Sequence, residues 1–303
     1  MKNLTIFSSP KPFNDPHIAA IQRNAIRSWC QLGEQVEVIL IGDEQGMAET
    51  AREFGLTHIP GVACNDQGTP LVSSIFSLAR ENGSSPILAY INADILTLSD
   101  FLSMAQRMLE LASEFILVGQ RWDLDILVEL EFSSDWEKNL RQSILERGKL
   151  HPPAGSDYFV FPRTCYQELP DFAIGRAGWD NWMIYQARKQ GWLAVDATRS
   201  ITIAHQQHDY SHLPGGKPHY KLPETNENIR LAGGREITRF SLLDADRRLV
   251  MGRLRSRRYN WDTIRRMVET FPLLVMNNYQ MTKKITNLFH RLKYMFNRPE
   301  VDQ

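Results

Sequence analysis

Asn92 and Asp94 stand two residues apart at the end of an apolar run, Pro86 to Ile91 in PILAYINADILTLS, where chemistry is most easily placed. Side chains two apart in a strand share a face, so an amide and a carboxylate at the strand's end reach one ligand or one divalent cation together. A hard cation bridging a diphosphate needs few protein oxygens, because phosphate and water oxygens complete its shell. The plainer alternative is a turn asparagine followed by an aspartate close to a helix start.

Other residues of the right type lie further on. Arg121 in GQRWDLD can grip a carboxylate or phosphate with its planar fork, or simply pair with Asp123 or Asp125. AHQQHDYSH supplies His205, His208 and His212. As the zinc cluster of a hydrolase this run lacks the internal acidic base of an HExxH arrangement.

These residues need a frame. Leu4 to Phe7 reads as a strand, and Asp15-Pro16 caps a helix with Ile18, Ile21, Ala25 and Trp29 on one face, ending at Gly33. Val36 to Ile41 is a second strand and Thr57 to Ile59 a third, separated by a short helix through Met47, Ala51 and Phe54 that stops at Gly55. A helix carrying Val72, Ile75, Phe76 and Ala79 leads to the strand at Pro86. Four strands alternating with three helices predict an α/β fold, its central sheet mostly parallel and covered by helices on both faces.

After Asp94, Ser99 or Asp100 caps a helix with Phe101, Met104, Met108 and Leu111, and Phe115 to Gly119 is strand again. Beyond Gln120 a helix through Trp136, Leu140 and Ile144 is expected, then a strand from Asp157 to Phe161 and a helix from Asp180 to Gln190. Trp192 to Val195 and Ile201 to Ala204 read as a hairpin that delivers His205, with loops up to Gly234. Residues 1–234 are expected to form one domain, with halves 1–119 and 120–234. Residues 235–303 form a basic, mainly helical extension, interrupted by Pro272.

The layout of Leu4 to His212 resembles the GT-A glycosyltransferases, in which a DxD triplet after a nucleotide-binding half holds a metal and a sugar nucleotide. Asn92-Ala93-Asp94 stands where that triplet stands, with asparagine in place of the first acid. Gly155-Ser156-Asp157 resembles the acceptor loop before a late strand, and Gly178-Trp179-Asp180-Asn181-Trp182 the helix start that carries an acid. The resemblance implies Asp94 and His205 (or His208) as ligands of manganese or magnesium, and Asp180 as base where transfer inverts. Asp180 serves equally as a cap of its own helix.

For the nucleotide-diphosphate sugar, the resemblance points to the loop Ser8 to Pro12, with Ser8 and Pro10, and to Asp43, which with Glu44 also reads as a solvated turn. Arg80 and Lys217 are candidate diphosphate neighbours. On the acceptor side stand Arg121, Trp122, Gly155, Asp157 and Trp179, with Trp182 expected in the core, since aromatic faces suit sugar rings but more often pack inside. The implied reaction moves a sugar to a hydroxyl on a glycan, a lipid-linked acceptor or a protein. Two other readings stay open: a nucleotidyltransferase, for which SSPKPF is a poor triphosphate loop, and a binding module without turnover, which Asn92 favours.

Formal charge balances at 35 basic and 35 acidic residues, but from Arg235 onward there are 15 basic against 7 acidic. A basic tail on an acidic body, with no recognition motif, does not suggest nucleic acid. It suits a membrane-surface anchor for a lipid-linked acceptor, a partner-binding helix, or a packed extension. Cys30, Cys64 and Cys165 have no metal-ligand spacing, and the first residues show no signal-like or spanning stretch, so a soluble, cytoplasmic protein, peripheral to a membrane at most, is expected.

Overall fold

The computed structural model describes residues 2–126, 128–207 and 222–296. The chain divides into two compact units between Ser256 and Arg257.

In the first unit the chain runs β1 (Leu4–Ser8), α1 (Pro16–Cys30), β2 (Val36–Ile41), α2 (Met47–Phe54), β3 (Thr57–Ile59), α3 (Val72–Asn82) and β4 (Ile87–Ile91). It continues through β5 (Ile95–Thr97), α4 (Asp100–Leu111), β6 (Phe115–Val118), β7 (Trp122–Leu124), α5 (Trp136–Arg147), β8 (Lys149–Leu150) and β9 (Tyr158–Pro162). The rest is α6 (Trp179–Gln190), β10 (Leu193–Asp196), β11 (Ile203–Gln206), α7 (Pro223–Leu231), β12 (Arg247–Val250) and β13 (Arg253–Ser256).

Nine strands form one sheet in the order β13-β12-β10-β6-β9-β4-β1-β2-β3. Pairing is parallel except where β9 lies antiparallel to β4 and β6, and β13 to β12. Every residue of β1, β4 and β9 is buried, as strands covered on both faces require. Alternation sends Leu4 and Ile6 toward Trp29 of α1 and Phe101 of α4, and sends Phe7 to the opposite face against Phe76 of α3. Asp15 caps α1 as expected, accepting from the backbone of His17 and Ile18 at 2.9 Å.

The antiparallel strand β9 matters most for function. Its direction brings its first residue, Tyr158, opposite Ile91, the last residue of β4, so Asp157 and Asn92 meet and the Asn92 amide donates to the Asp157 carbonyl at 2.9 Å. A parallel strand in the same place would have set Asp157 at the opposite end of β4, near Ile87.

A second sheet, in the order β5-β11-β7-β8, sits at the end of β4. The hairpin expected between 192–195 and 201–204 does not form: β10 joins the large sheet between β6 and β12, and β11 the small one between β5 and β7. Two short apolar runs separated by a turn do not specify their partners, and here each finds a longer-range one.

Three other expectations change. Pro223–Leu231 is helical rather than loop, with the proline in its first turn, where its missing N–H costs nothing. The unit boundary falls at Ser256 rather than Gly234, because β12 pairs in parallel with β10 and β13 folds back on β12. In the second unit α8 (Trp261–Met276) runs through Pro272 rather than being interrupted by it, and is followed by α9 (Tyr279–Phe296).

Candidate active site

The small sheet sets the core of the site. His205 on β11 registers with Ile95 of β5 on one side and Asp123 of β7 on the other. Its Nε2 therefore lies 3.7 Å from Asp94 Oδ2 and its Nδ1 lies 3.3 Å from Asp123 Oδ1. Gln206, next along, is locked by Nε2 donating to the Ile21 carbonyl at 2.9 Å and Oε1 accepting from Asn24 at 3.0 Å. Burial works against a charged imidazole, but the charge and hydrogen bond of Asp94 outweigh it and raise the His205 pKa above its ordinary value.

Asp123 joins this pair to a second one. Its Oδ2 meets His151 Nδ1 at 2.8 Å and its Oδ1 accepts from Arg121 Nε at 2.9 Å. The same guanidinium donates through Nη1 to both Asp157 oxygens, at 2.7 and 2.8 Å. Burial alone would push the Asp123 carboxyl up, yet His151 and Arg121 together hold it below the usual range. Burial likewise disfavours the Arg121 charge, but Asp157 raises its pKa further.

Asn92 closes the network: its Nδ2 donates to Asp157 Oδ1 at 3.1 Å and its Oδ1 accepts from Tyr90 Oη at 3.0 Å. Both halves of the amide are thus engaged by protein. The position carries an amide rather than an acid because one end must donate to a carboxylate.

Asp180 lies in the first turn of α6, its Oδ1 accepting from the Gly178 backbone at 3.2 Å, with Gly178 in the left-handed region at φ +110°. Burial raises the Asp180 pKa, and the nearby Asp157 charge adds to this, against opposing hydrogen bonds from the Asn181 and Gly178 backbone. The N-cap of α6 is Gly178, so Asp180 is not the cap of its own helix; from the first turn its carboxylate reaches back to the Gly178 N–H.

Lys11, Asn92, Asp94, Asp157, Asp180 and His205 all line one cavity of about 570 Å³. Of the other expected site residues, Pro10, Arg121, Gly155 and Trp179 also line it, Gly155 with φ +90°. Trp179 stands edge-on to Tyr90 at 5.1 Å, while Trp182 is buried against Phe172.

Four expected residues are placed elsewhere. The Ser8 hydroxyl donates to the Ile91 carbonyl at 2.6 Å and so joins β1 to β4, leaving Ser9 to line the cavity. Asp43 is exposed beyond the end of β2, and its neighbour Glu44 lines the cavity instead. Arg80 donates to the carbonyls of Arg163, Cys165 and Tyr166, tying α3 to the turn after β9. Trp122 packs with Leu124 in a separate apolar cluster, because alternation along β7 gives Asp123 the opposite face. Lys217, His208, Tyr210 and His212 lie outside the described residues.

Sequence reading named the loop Ser8 to Pro12 without singling out Lys11, and missed Asp123, His151 and Arg176 as parts of the site. The Lys11 backbone is clasped by Gln22, accepting at Oε1 at 2.6 Å and donating from Nε2 at 2.9 Å, and burial lowers the Lys11 pKa despite the Asp94 charge. Arg176 lines the cavity with its Nε 2.6 Å from Glu224 Oε2 at the start of α7. Only Asp123 had a local signal, as an alternative partner of Arg121.

Among the described residues no three or more His, Cys, Asp or Glu side chains group as a metal cage. Asp94 and His205 nonetheless fit as a pair: donor atoms 3.7 Å apart can both reach one cation at roughly 2.1 Å, and an acid-plus-imidazole set suits manganese or magnesium. Asp123 at the other ring nitrogen is the kind of partner that orients a ligating histidine.

The large sheet, its helices on both faces and a polar cavity at the carboxyl end of β4 define an α/β protein with a candidate site there. No protein-family model and no curated protein matches the chain. Among solved structures it is similar to the mannosyltransferase PcManGT from Pyrobaculum calidifontis in complex with GDP-Man and Mn2+, at 13% identity and TM-score 0.46, covering 69% of this chain and 58% of that one. It is also similar to S. aureus TarS 1–349 in complex with UDP-GlcNAc, at 11% identity and TM-score 0.45, covering 81% of this chain and 68% of that one. The chain thus spans little more than half of the mannosyltransferase's length, and these are likenesses of outline.

Proposed function

We propose that the chain is a metal-dependent glycosyltransferase of GT-A type, moving a sugar from a nucleotide-diphosphate donor to a hydroxyl acceptor. The observation that carries this reading is the approach of His205 Nε2 to within 3.7 Å of Asp94 Oδ2 on the wall of a cavity that Asp180 also lines. In this reading residues 1–119 bind the nucleotide and residues 120–234 the acceptor.

Asp94 and His205 would hold the cation, with Asp123 fixing the imidazole so that Nε2 stays toward Asp94. A bound divalent ion would offset negative charge on the departing diphosphate. Lys11, a half-buried side chain on the same wall, would add to that neutralisation when charged. In an inverting transfer the acceptor oxygen bonds to the anomeric carbon as the bond to the diphosphate oxygen breaks, the electron pair leaves with the diphosphate, and Asp180 takes the hydroxyl proton. A carboxyl whose pKa is raised by burial is better matched to that proton than a solvated one. Asp157, clamped by Arg121 and Asn92, would orient the acceptor loop at Gly155 rather than exchange protons.

The test is a panel of nucleotide sugars, each with and without manganese, read by thermal shift and donor hydrolysis. A donor that raises Tm only with manganese, and is then hydrolysed, supports the reading. Binding that ignores metal and gives no turnover would replace it with a binding module.

A further inference from the structure

The helices α8 and α9 of the second unit pack on each other with inverted polarity. Buried in them are Thr263, Arg266, Glu269, Thr270, Thr282 and Thr286, with Arg266 Nη1 bonded to Glu269 Oε2 at 2.9 Å. Exposed along α8 is an apolar line in steps of three and four: Trp261 (69% exposed), Ile264 (43%), Val268 (47%), Phe271 (55%) and Val275 (68%). A helix in water buries such a line. Left open, it keeps in water apolar area that burial would remove.

Two features indicate what covers it. From Arg257 to the end the sequence has nine basic residues and four acidic ones, so a second copy would bring a like charge, whereas an anionic surface would bring the opposite one. At the start of α8, Tyr259 and Trp261 are exposed beside Arg257 and Arg258, the pairing of aromatic and basic side chains that suits a headgroup layer. No described helix is long and apolar enough to cross a membrane, which fits a helix lying in the surface.

We infer that the α8 face formed by Trp261, Ile264, Val268, Phe271 and Val275 docks on an anionic lipid bilayer, lying in its surface with Arg257 and Arg258, beside Trp261, at the headgroups. This stands apart from the glycosyltransferase reading, because it rests on the second unit alone.

The experiment is flotation of the full chain with vesicles of phosphatidylcholine alone or mixed equally with phosphatidylglycerol. The chain should float with the anionic vesicles and be largely released by high salt. V268E with F271E should cut the bound fraction at least about tenfold, and W261A less so, since each removes apolar area from the lipid. Unchanged donor binding and circular dichroism in these variants keep a folding defect apart from a docking defect. Wild-type chain that stays at the bottom of the gradient would overturn the proposal, as would variants that float like wild type. So would light scattering that finds a dimer abolished by V268E and F271E, since that result gives the face to a second copy.

Discussion

Asn92 donates its side-chain amide to Asp157 at 3.1 Å while accepting from Tyr90 at 3.0 Å, so the first position of the N-A-D triplet is a bridge between two strands. Asp94, two residues on, faces His205 instead. The two polar residues that follow one strand therefore have different partners.

Restoring an acid at that first position should do harm. Asn92→Asp would set two carboxylates about 3 Å apart where a hydrogen bond now stands. Stability should fall by about 1–3 kcal/mol, read from urea unfolding, and manganese affinity measured by calorimetry should not improve. Tighter metal binding in this variant would mean that position 92 is a ligand after all.

Removing the Asp94 carboxylate should separate chemistry from folding. Its backbone carbonyl, which accepts from the Gln206 backbone at 3.1 Å, survives in Asp94→Ala, so the small sheet should hold. Metal-dependent donor hydrolysis should drop by roughly 10²–10³-fold, the usual size for losing one charge-stabilising group. Normal turnover would sink the site assignment.

Asp180→Asn should lower kcat by roughly 10²–10⁴-fold while leaving donor binding intact. Its effect on stability has the opposite sign. Burial raises the Asp180 pKa, so the folded state favours the protonated acid, and keeping the carboxylate costs stability above the unfolded pKa. The variant should melt higher than wild type at neutral pH, and the gain should disappear below about pH 4, where the carboxyl is protonated in both states. Thermal melts across pH test this, and wild-type activity should fall on acidification as Asp180 takes up its proton.

Arg121 joins Asp157 and Asp123, and the Arg121 and Asp157 side chains are 18% and 8% exposed. Arg121→Gln would take the guanidinium from two carboxylates at once, leaving Asp123 with His151 and Asp157 with Asn92. A loss of about 2–3 kcal/mol is expected, below that of a fully buried pair because some solvent screening remains. Chemical denaturation would show it, and Arg121→Lys should recover only part, since an ammonium cannot form the same fork.

The strand and helix sequence of the first half was legible because it follows local periodicity: continuous apolar runs for β1, β2 and β4, and three- and four-residue spacing for α1 and α3. Asp94, His205 and Asp180 were legible as residue types at element ends. Arg80 and Ser8 misled, since a basic or hydroxyl side chain near a site looks the same whether it faces a ligand or satisfies buried carbonyls. His151 was overlooked for the converse reason: nothing beside it in sequence marks what it meets across the fold.

The sequence by itself determined an alternating α/β chain, an acidic strand end and a basic helical tail, because these depend on neighbours a few residues away. Tertiary structure alone decided that β9 runs antiparallel and so delivers Asp157 to Asn92, that β10 and β11 part into different sheets, and that His205 reaches Asp94. Those facts are set by strand register and direction across long separations, where burial and hydrogen bonding select one pairing among several that the local pattern permits equally.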